Sequence, residues 1–364
     1  VARRPLTVLL DGTPLLGQRT GIGRYTAALA EELASMVDEV DVRAVAFTLR
    51  GWRALRTVLP HDVVARGLPV SARLLRQFWL RAPFPPVEVL AGLADVMHAT
   101  NFVLPPSVRA GGVVTIHDLA MLDHPGDLPP SDARLPELVR QSASRAAVVC
   151  TPTRAVADQV VERLGVPEDR IVVTPLGVDP AWFAARPPSD PVRARLRLPL
   201  EYLLFVGAGG PRKGLDRLIA AHAARPELPP LVLAGPGESG VDGRVVRTGY
   251  LTEIDLRRVV AGASALVLPS RDEGFGLPVL EALACNVPVV CSDVPALREV
   301  AGGHAVHVPV GDVEALGQAL VETVETPPSP TAQAARRAHA SEFTWRRTAE
   351  LTVKAYEKAA KRRR

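Results

Sequence analysis

Two kinds of hydrophobic pattern alternate along most of this chain. Short apolar runs rich in β-branched residues include LTVLL (6–10), VDVRAVAF (40–47), ADVMHA (94–99), GGVVTIHD (111–118), AAVVCTP (146–152) and DRIVVTP (169–175). Between them lie longer segments, such as GRYTAALAEELASM (23–36) and TRAVADQVVERLG (153–165), in which apolar residues recur every three or four positions. Continuous apolar runs read as parallel strands buried on both faces, and the 3.6-residue period reads as crossover helices. Their alternation predicts an α/β protein with doubly wound sheets.

The segment LGVDPAWFAARPPSDPVRARLRLP (176–199) interrupts the rhythm with proline and arginine, as a linker would. The pattern then restarts with YLLFVG, GLDRLIAAHAA, PLVLAG, RVVRTGY, EIDLRRVVAGA, ALVLPS, GLPVLEALAC, VPVVCSD, HAVHVP and DVEALGQALVETV. A second break, PPSPT (327–331), precedes the closing helical segment TWRRTAELTVKAYEKAAKRRR. The expected division is a Rossmann-like domain over 1–177, another over 178–340, and a helical segment over 341–364 that packs back on the body. A chain of 364 residues exceeds what one core usually serves, which agrees with two domains.

Composition narrows the class. Hydrophobic residues are 47% and charged residues 23%, as in an ordinary globular enzyme. The formal charge of +4 is spread along the chain and aromatics are only 4%, so the basic, aromatic-lined stripe of a nucleic-acid binder is missing. Cys150, Cys285 and Cys291 sit in apolar surroundings without metal-ligand spacing and read as reduced core cysteines. No apolar stretch reaches about 18 residues and VARRPLTVLLDG lacks a signal-type core, so a cytoplasmic protein is expected.

Ligands of open α/β sheets bind beyond the carboxyl ends of the strands, so the strand-end loops carry the functional reading. DGTPLLGQRTGIGRY (11–25) links the first strand to the first helix and contains Gly17, Gly21 and Gly23. These glycines serve either packing or close approach of backbone to a phosphate or sugar. GIGRYT completes only part of a dinucleotide fingerprint, and no acidic residue closes the second strand, so NAD is disfavoured. VVTIHDLAM places His117 and Asp118 where another strand stops. In GAGGPRKGLDRL (207–218), Gly207, Gly209 and Gly210 lead to Arg212, Lys213 and a helix expected from about Leu215. Arg212 and Gly214 replace the glycine and hydroxyl residue that flank the lysine of a P-loop, which excludes that motif. Lysine is scarce, occurring at 213, 354, 358 and 361 only, and the pair Arg212–Lys213 at a glycine turn suits a diphosphate. Finally, PSRDEGFGLPVLEALACNVPVV carries Glu273, then Gly274, Phe275, Gly276 and Leu277, and Glu281 about a turn into a helix buried through Val279, Leu280, Leu283 and Ala284. Carboxylates so placed suit sugar hydroxyls better than phosphates, with the alternative that Glu281 only caps amides.

EGFGLPVLEA, with Glu273 and Glu281, resembles the E-x7-E element of retaining GT-B glycosyltransferases of family 4, and the overall likeness is greatest to bacterial mannosyltransferases. GTPLLGQRTGIGRYTAALAEEL, TIHDL, VVTPLGVD, GAGGPRKGL and FTWRRTA are similar to other elements of that family in the same order. The resemblance implies two Rossmann-like domains facing a central cleft, with the final helix returning to the N-terminal domain. It implies that Arg212 and Lys213 hold the donor diphosphate, with Gly209 in the same loop. Glu273 and the amides of Gly274 to Leu277 would hold the donor sugar, and Glu281 the ribose. His117 would meet the sugar near its reactive carbon, Gly21 or Gly23 the phosphate, and Tyr250 and Leu251 would lie near the base. Gly214 and Leu215 depart from the polar residue that many members carry after the lysine.

The activity so implied is retaining hexosyl transfer, mannose from GDP-mannose by preference, to a hydroxyl of a glycan, lipid-linked or small-molecule acceptor. No metal or other cofactor is expected, and no Asp-x-Asp element occurs. The alternatives are a UDP-sugar-dependent enzyme of the same fold, a sugar-nucleotide epimerase, or an inactive nucleotide-sugar-binding protein. Residues 50–81 carry Arg50, Arg53, Arg56, Arg66, Arg73, Arg76 and Arg81 against Asp62, with Trp52, Phe78 and Trp79 among them. With Lys361 and Arg362 to Arg364, they could dock on an anionic membrane, or arginine could simply be this chain's usual surface residue.

Overall fold

The computed structural model describes residues 4–18, 20–49, 51–326 and 328–362; Arg50, Pro327, Arg363 and Arg364, which entered the readings above, lie outside the described residues. The chain divides into two compact units, Val1–Gly177 with Trp345–Arg364, and Val178–Thr344.

The first unit holds β1 (Leu6–Asp11), β2 (Val40–Val45), β3 (Val64–Arg66), β4 (Val96–Ala99), β5 (Gly111–Thr115), β6 (Val148–Thr151) and β7 (Ile171–Val173). They form a parallel sheet in the order β3-β2-β1-β4-β5-β6-β7. The second unit holds β8 (Leu203–Val206), β9 (Leu231–Ala234), β10 (Gly240–Asp242), β11 (Val245–Gly249), β12 (Ala265–Leu268), β13 (Val289–Ser292) and β14 (Val306–Val308). Their order is β10-β11-β9-β8-β12-β13-β14, and only β10 runs antiparallel to its neighbour. Every residue of β4, β6, β9, β12 and β13 is buried, which is why these strands read as unbroken apolar runs. β3 and β10 do not show in the pattern. Each is a three-residue edge strand bearing a charge, too short to set a period and suited to blunting an edge.

The strand order reverses between β1 and β4 in one sheet and between β8 and β12 in the other. Loops diverge there, leaving a crevice beyond the strand ends. The loops singled out from the sequence follow β1, β5, β8, β11 and β12.

The closing helix Trp345–Arg362 belongs to the first unit, where it packs on the first helix, Gly21–Ala34, and across β5, β6 and β7. Gly111 permits the approach, since a Cβ there would stand 2.7 Å from the Ala359 carbonyl oxygen. A buried polar chain fastens it. Tyr356 Oη lies 2.8 Å from His98 Nδ1, His98 Nε2 lies 2.8 Å from Thr115 Oγ1, and that hydroxyl lies 3.0 Å from Tyr25 Oη.

The proline-rich segment after 176 is not a free linker. Trp182 is fully buried, Asp190–Leu196 is helical, and Cys285 Sγ and Arg337 Nη2 donate to the carbonyls of Trp182 and Phe183. One large indole outweighs the surrounding prolines, because burying it is worth more than the disorder they favour. The second unit runs through Thr344, and Val178 N donates to Phe343 O at 3.0 Å near its two ends. Helix Pro330–Ser341, which follows the second break, packs on helix Leu277–Ala284.

Burial holds the His98 imidazole down at about 3, with the neighbouring His117 acting in the same direction. Its unfolded value is near 6.5, so between the two values the unfolded chain binds the extra proton and native stability falls as pH drops. From pH 7.5 to pH 5 this one group should remove about 2 kcal/mol of unfolding free energy. Urea titrations at both pH values should show the drop in unfolding free energy between them smaller by that amount in His98→Gln. An equal drop in the two proteins would refute the assignment.

Candidate active site

The second unit gathers charge at its switch point. β8 ends at Val206 and leads through Gly207, Gly209 and Gly210 into a turn at Pro211–Lys213, after which helix Leu215–Ala223 begins. Two glycines make this geometry possible. A Cβ on Gly235 would lie 1.9 Å from Gly207 O, so the loops after β8 and β9 touch backbone to backbone. Gly214 has φ +64°, and a Cβ there would lie 2.2 Å from the carbonyl oxygen of Pro269. This accounts for the unusual residue after the lysine. The turn must press against the loop that follows β12, and any side chain would push it away.

That contact delivers Lys213 to Glu273. Lys213 Nζ donates to Glu273 Oε1 at 2.5 Å, and Ser270 Oγ donates to the same oxygen at 2.7 Å. Arg212 Nη1 donates to Asp272 O at 2.9 Å and stands 3.5 Å from Glu273 Oε2. Burial pushes the Glu273 carboxyl up, but the Lys213 ammonium and Arg212 guanidinium more than offset it, helped by the two hydrogen bonds. The net result lies below the usual carboxylate value. Sequence reasoning assigned the cations and this carboxylate to separate partners; in the fold they are one cluster. Ser270 was missed, and only its place three residues before the glutamate pointed to it.

Helix Leu277–Ala284 follows directly, starting after Gly276, whose φ is +90°. A Cβ on Gly276 would meet Leu297 Cδ2 at 2.5 Å. Gly274, Phe275 and Leu277 are buried, with the Phe275 ring edge-on to Phe343 at 6.0 Å. The expectation of a single buried face is corrected here. Every residue but Pro278 is buried, including Glu281 at 1% exposure. The cause is packing on several sides, by β12, β13 and three helices. Tyr250 and Leu251 follow β11, the tyrosine exposed and the leucine buried.

The first unit builds its switch point from buried, hydrogen-bonded groups. Asp11, at the end of β1, is buried and accepts from Thr13 N at 2.9 Å; burial, the largest influence, pushes its carboxyl up. Thr100, after β4, donates from its hydroxyl to Asp11 O at 2.8 Å, and His117 Nε2–H donates to Thr100 O at 2.8 Å. The His117 ring is edge-on to Tyr25 at 5.1 Å and to Phe102 at 5.7 Å. Burial holds this imidazole below its ordinary value, outweighing the Thr100 hydrogen bond and the Asp118 charge. Asp118 Oδ1 accepts from Ala120 N at 3.2 Å, so it shapes the turn. Gly21 and Gly23 are not in the loop as expected but in the first turn of helix Gly21–Ala34, since Thr20 already adopts the extended conformation that starts it. Tyr25, Asp11 and Thr100 escaped sequence reasoning, being ordinary residue types whose contacts arise between elements far apart in the chain.

Two members of the arginine-rich segment have partners within the unit. Arg76 pairs with Asp132 at 3.3 Å, and Trp79 is 3% exposed, its indole N–H donating to Pro85 O. At the other end of the unit Arg362 pairs with Asp169. Among the described residues no helix is long and apolar enough to cross a membrane. The three cysteines are unpaired, and burial pushes each thiol up to about 12.

Comparison with known proteins places this architecture. Residues 20–177 match the family described as "Glycosyl transferase 4-like domain", and residues 201–326 match "Glycosyl transferases group 1". The O-antigen chain mannosyltransferase B of Escherichia coli is 30% identical over 380 residues, covering 96% of this chain and 99% of that one. Sucrose-phosphate synthase from Thermosynechococcus elongatus superposes with a TM-score of 0.72 at 20% identity, over 98% of both chains. The Anabaena protein HepE, solved with UDP-glucose, superposes with a TM-score of 0.71 at 17% identity, over 96% of this chain and 98% of that one. The fold is GT-B, and the chain belongs to the group 1, family 4 type of bacterial glycosyltransferase.

Replacing Lys213 with alanine leaves the buried Glu273 carboxylate with Arg212 as its one cation among the described residues. Its pKa should then rise, because burial is the strongest influence on it. The loss of stability should be about 2–3 kcal/mol at pH 7 and should shrink as the pH is lowered, because the variant's carboxyl takes up its proton at a higher pH than the wild type's. Denaturant titrations of both proteins check this; a cost independent of pH would show that the ion pair is not what stabilises the loop.

Proposed function

We propose that this glycosyltransferase moves a hexose, with retention of configuration, from a nucleoside-diphosphate sugar to an acceptor hydroxyl. The reading rests on the cluster of Lys213, Arg212 and Glu273 at the junction of β8 and β12. An ammonium has three N–H donors, and Glu273 uses one, so Lys213 can hold a donor phosphate without leaving its carboxylate. Arg212, with 31% of its side chain exposed, offers the remaining edge of its guanidinium to the same diphosphate. Glu273 Oε2 and the amides of Gly274 to Leu277 are proposed to hold the sugar hydroxyls, and Glu281 the ribose. Tyr250 and Leu251 are placed at the base, and Gly209, Gly21 and Gly23 at the phosphates. His117, kept neutral by burial, is proposed to contact the sugar near its reactive carbon.

In the proposed reaction the acceptor oxygen bonds to C1 on the face the phosphate leaves. The C1–O bond to phosphate breaks, and the acceptor's proton passes to the departing phosphate oxygen. Arg212 and Lys213 stabilise the charge that develops on the leaving diphosphate, so no metal ion is required in this reading. Likeness to the Escherichia coli mannosyltransferase supports mannose, hence GDP-mannose, as donor, with a glycan, lipid-linked or small-molecule acceptor. The UDP-glucose held by HepE favours a UDP-hexose as the second choice.

Thermal-shift titration with GDP, UDP, ADP and their sugars should single out one base, since a ligand of the native state raises stability by mass action. For that donor, Lys213→Ala and Glu281→Ala should each weaken binding at least about tenfold, roughly the value of one charged hydrogen bond. Silence toward every nucleotide, or unchanged binding in both variants, would contradict the site.

A second part of the reading is peripheral attachment to an anionic membrane, supported by one surface. Leu74, Phe78 and Phe84 are 53%, 56% and 64% exposed, and Arg73 and Arg81 beside them are also exposed. Apolar side chains that insert, flanked by arginines that meet lipid phosphates, are what interfacial helices present. Cosedimentation with phosphatidylglycerol vesicles should fall steeply with salt and fall further in Phe78→Ser. Binding that ignores both salt and the substitution would discard it.

A further inference from the structure

A cavity of about 220 Å3 opens in the second unit at the amino ends of β13 and β14, lined by Pro288, Val289, His304, Thr323 and Arg336 among others. The glycine loop and Glu273 follow the carboxyl ends of β8 and β12 in the same parallel sheet, so the cavity lies at the opposite end of the strands from the donor residues. The proposed reaction makes no use of it.

Among the described residues lining this cavity, Arg336 carries the one formal charge. Arg336 and Arg337 are neighbours on helix Pro330–Ser341, but they are used differently. Arg337 donates to Ala284 O and Phe183 O, both at 2.9 Å. Arg336 Nη1 is buried and meets no hydrogen-bond acceptor among the described residues. Burial alone acts on its guanidinium, holding it below its usual range, with no carboxylate contributing. His304 adds a second basic group, depressed by burial and then by His339 and Arg336. Its ring centroid lies 5.0 Å from that of His339. His339 is fixed in turn: Nε2–H donates to Val300 O at 2.8 Å, and its ring occupies the space where a Cβ on Gly302 would stand, 2.3 Å away.

A buried guanidinium N–H without an acceptor is costly, and such a group in a native fold calls for a partner. The remaining wall, Pro288 and Val289, is apolar and suits a short hydrocarbon body. The volume falls below the roughly 300–1,000 Å3 typical of drug-sized sites, which restricts an occupant to a few heavy atoms. We propose that this cavity binds a small organic oxyanion, a carboxylate or phosphate monoester with a short apolar body, held by Arg336. Thr323 belongs to helix Val313–Glu325 and Arg336 to helix Pro330–Ser341, so the bound anion bridges these two helices without touching the donor loops. It acts as an effector of the second unit's stability.

Butyrate and inorganic phosphate are the probes, titrated calorimetrically and by thermal shift against chloride of matched ionic strength. At least one should bind the wild-type protein and raise its melting temperature. Arg336→Gln should weaken binding at least about tenfold, the value of a charged hydrogen bond. Ala332→Leu, which fills the cavity while keeping the cation, should weaken it similarly and decides the matter if Arg336→Gln fails to fold. Lys213→Ala should bind the probe as the wild type does, which separates this site from the donor loops. No binding beyond chloride, unchanged binding in a folded cavity variant, or loss in Lys213→Ala would overturn the proposal.

Discussion

The second unit is organised around one constraint: a glutamate buried at a strand end must stay charged. Glu273 is 8% exposed, and an isolated carboxylate there would take up a proton. Two cations prevent this, and both come from a loop sixty residues earlier in the chain. Bringing that loop within 2.5 Å of the carboxylate demands that backbone touch backbone, at Gly214 against Pro269 and at Gly235 against Gly207. Glycines and charges that look like separate motifs in the sequence are therefore parts of one arrangement. The parallel order β9-β8-β12 supplies the rest, because it puts the ends of β8 and β12 side by side where their connections diverge.

The first unit meets the same topology with different chemistry. Its switch point lies between β1 and β4, and Asp11 and Thr100 at those strand ends are joined by a hydroxyl-to-carbonyl hydrogen bond. His117, from the end of β5, donates to Thr100. These groups are buried, and both histidines of this region are held below their ordinary values. A buried, ring-packed wall in the first unit thus stands in contrast to the cationic loop of the second. The contrast follows from the strand-end residues alone, without appeal to how the units are arranged.

Much of this was legible in the sequence because parallel strands buried on both faces leave an unmistakable run. What the pattern could not show falls into three physical kinds. β3 and β10 have too few residues to establish any period. Trp182, Arg76 and Trp79 lie in stretches whose composition suggests solvent, yet each finds a partner far along the chain: Trp182 O with Cys285, Arg76 with Asp132, Trp79 packed on Phe47. Local composition reports an average environment, and one long-range contact reverses it. Last, the polar chain Tyr356–His98–Thr115–Tyr25 joins residues from two strands and two helices. None of these residues is unusual in its own segment, so nothing in the sequence marks them as a group.

Lys213 shows how far a single residue choice can be explained once the fold is known. Arginine is this chain's default cation, and Arg212 follows that rule, using its guanidinium on the backbone of Asp272 and the far oxygen of Glu273. The neighbouring position faces a different requirement. The near oxygen of Glu273 already accepts from Ser270, and the space beside it lies beneath a turn pressed on Pro269. A planar fork favours two parallel bonds to a carboxylate, which would compete with both Ser270 and Arg212. A compact ammonium makes one short bond at 2.5 Å and keeps two donors free on a side chain that is 20% exposed. The lysine is thus the cation that can neutralise Glu273 and still meet an anionic ligand, and the arginine beside it is the one that ties the two loops together.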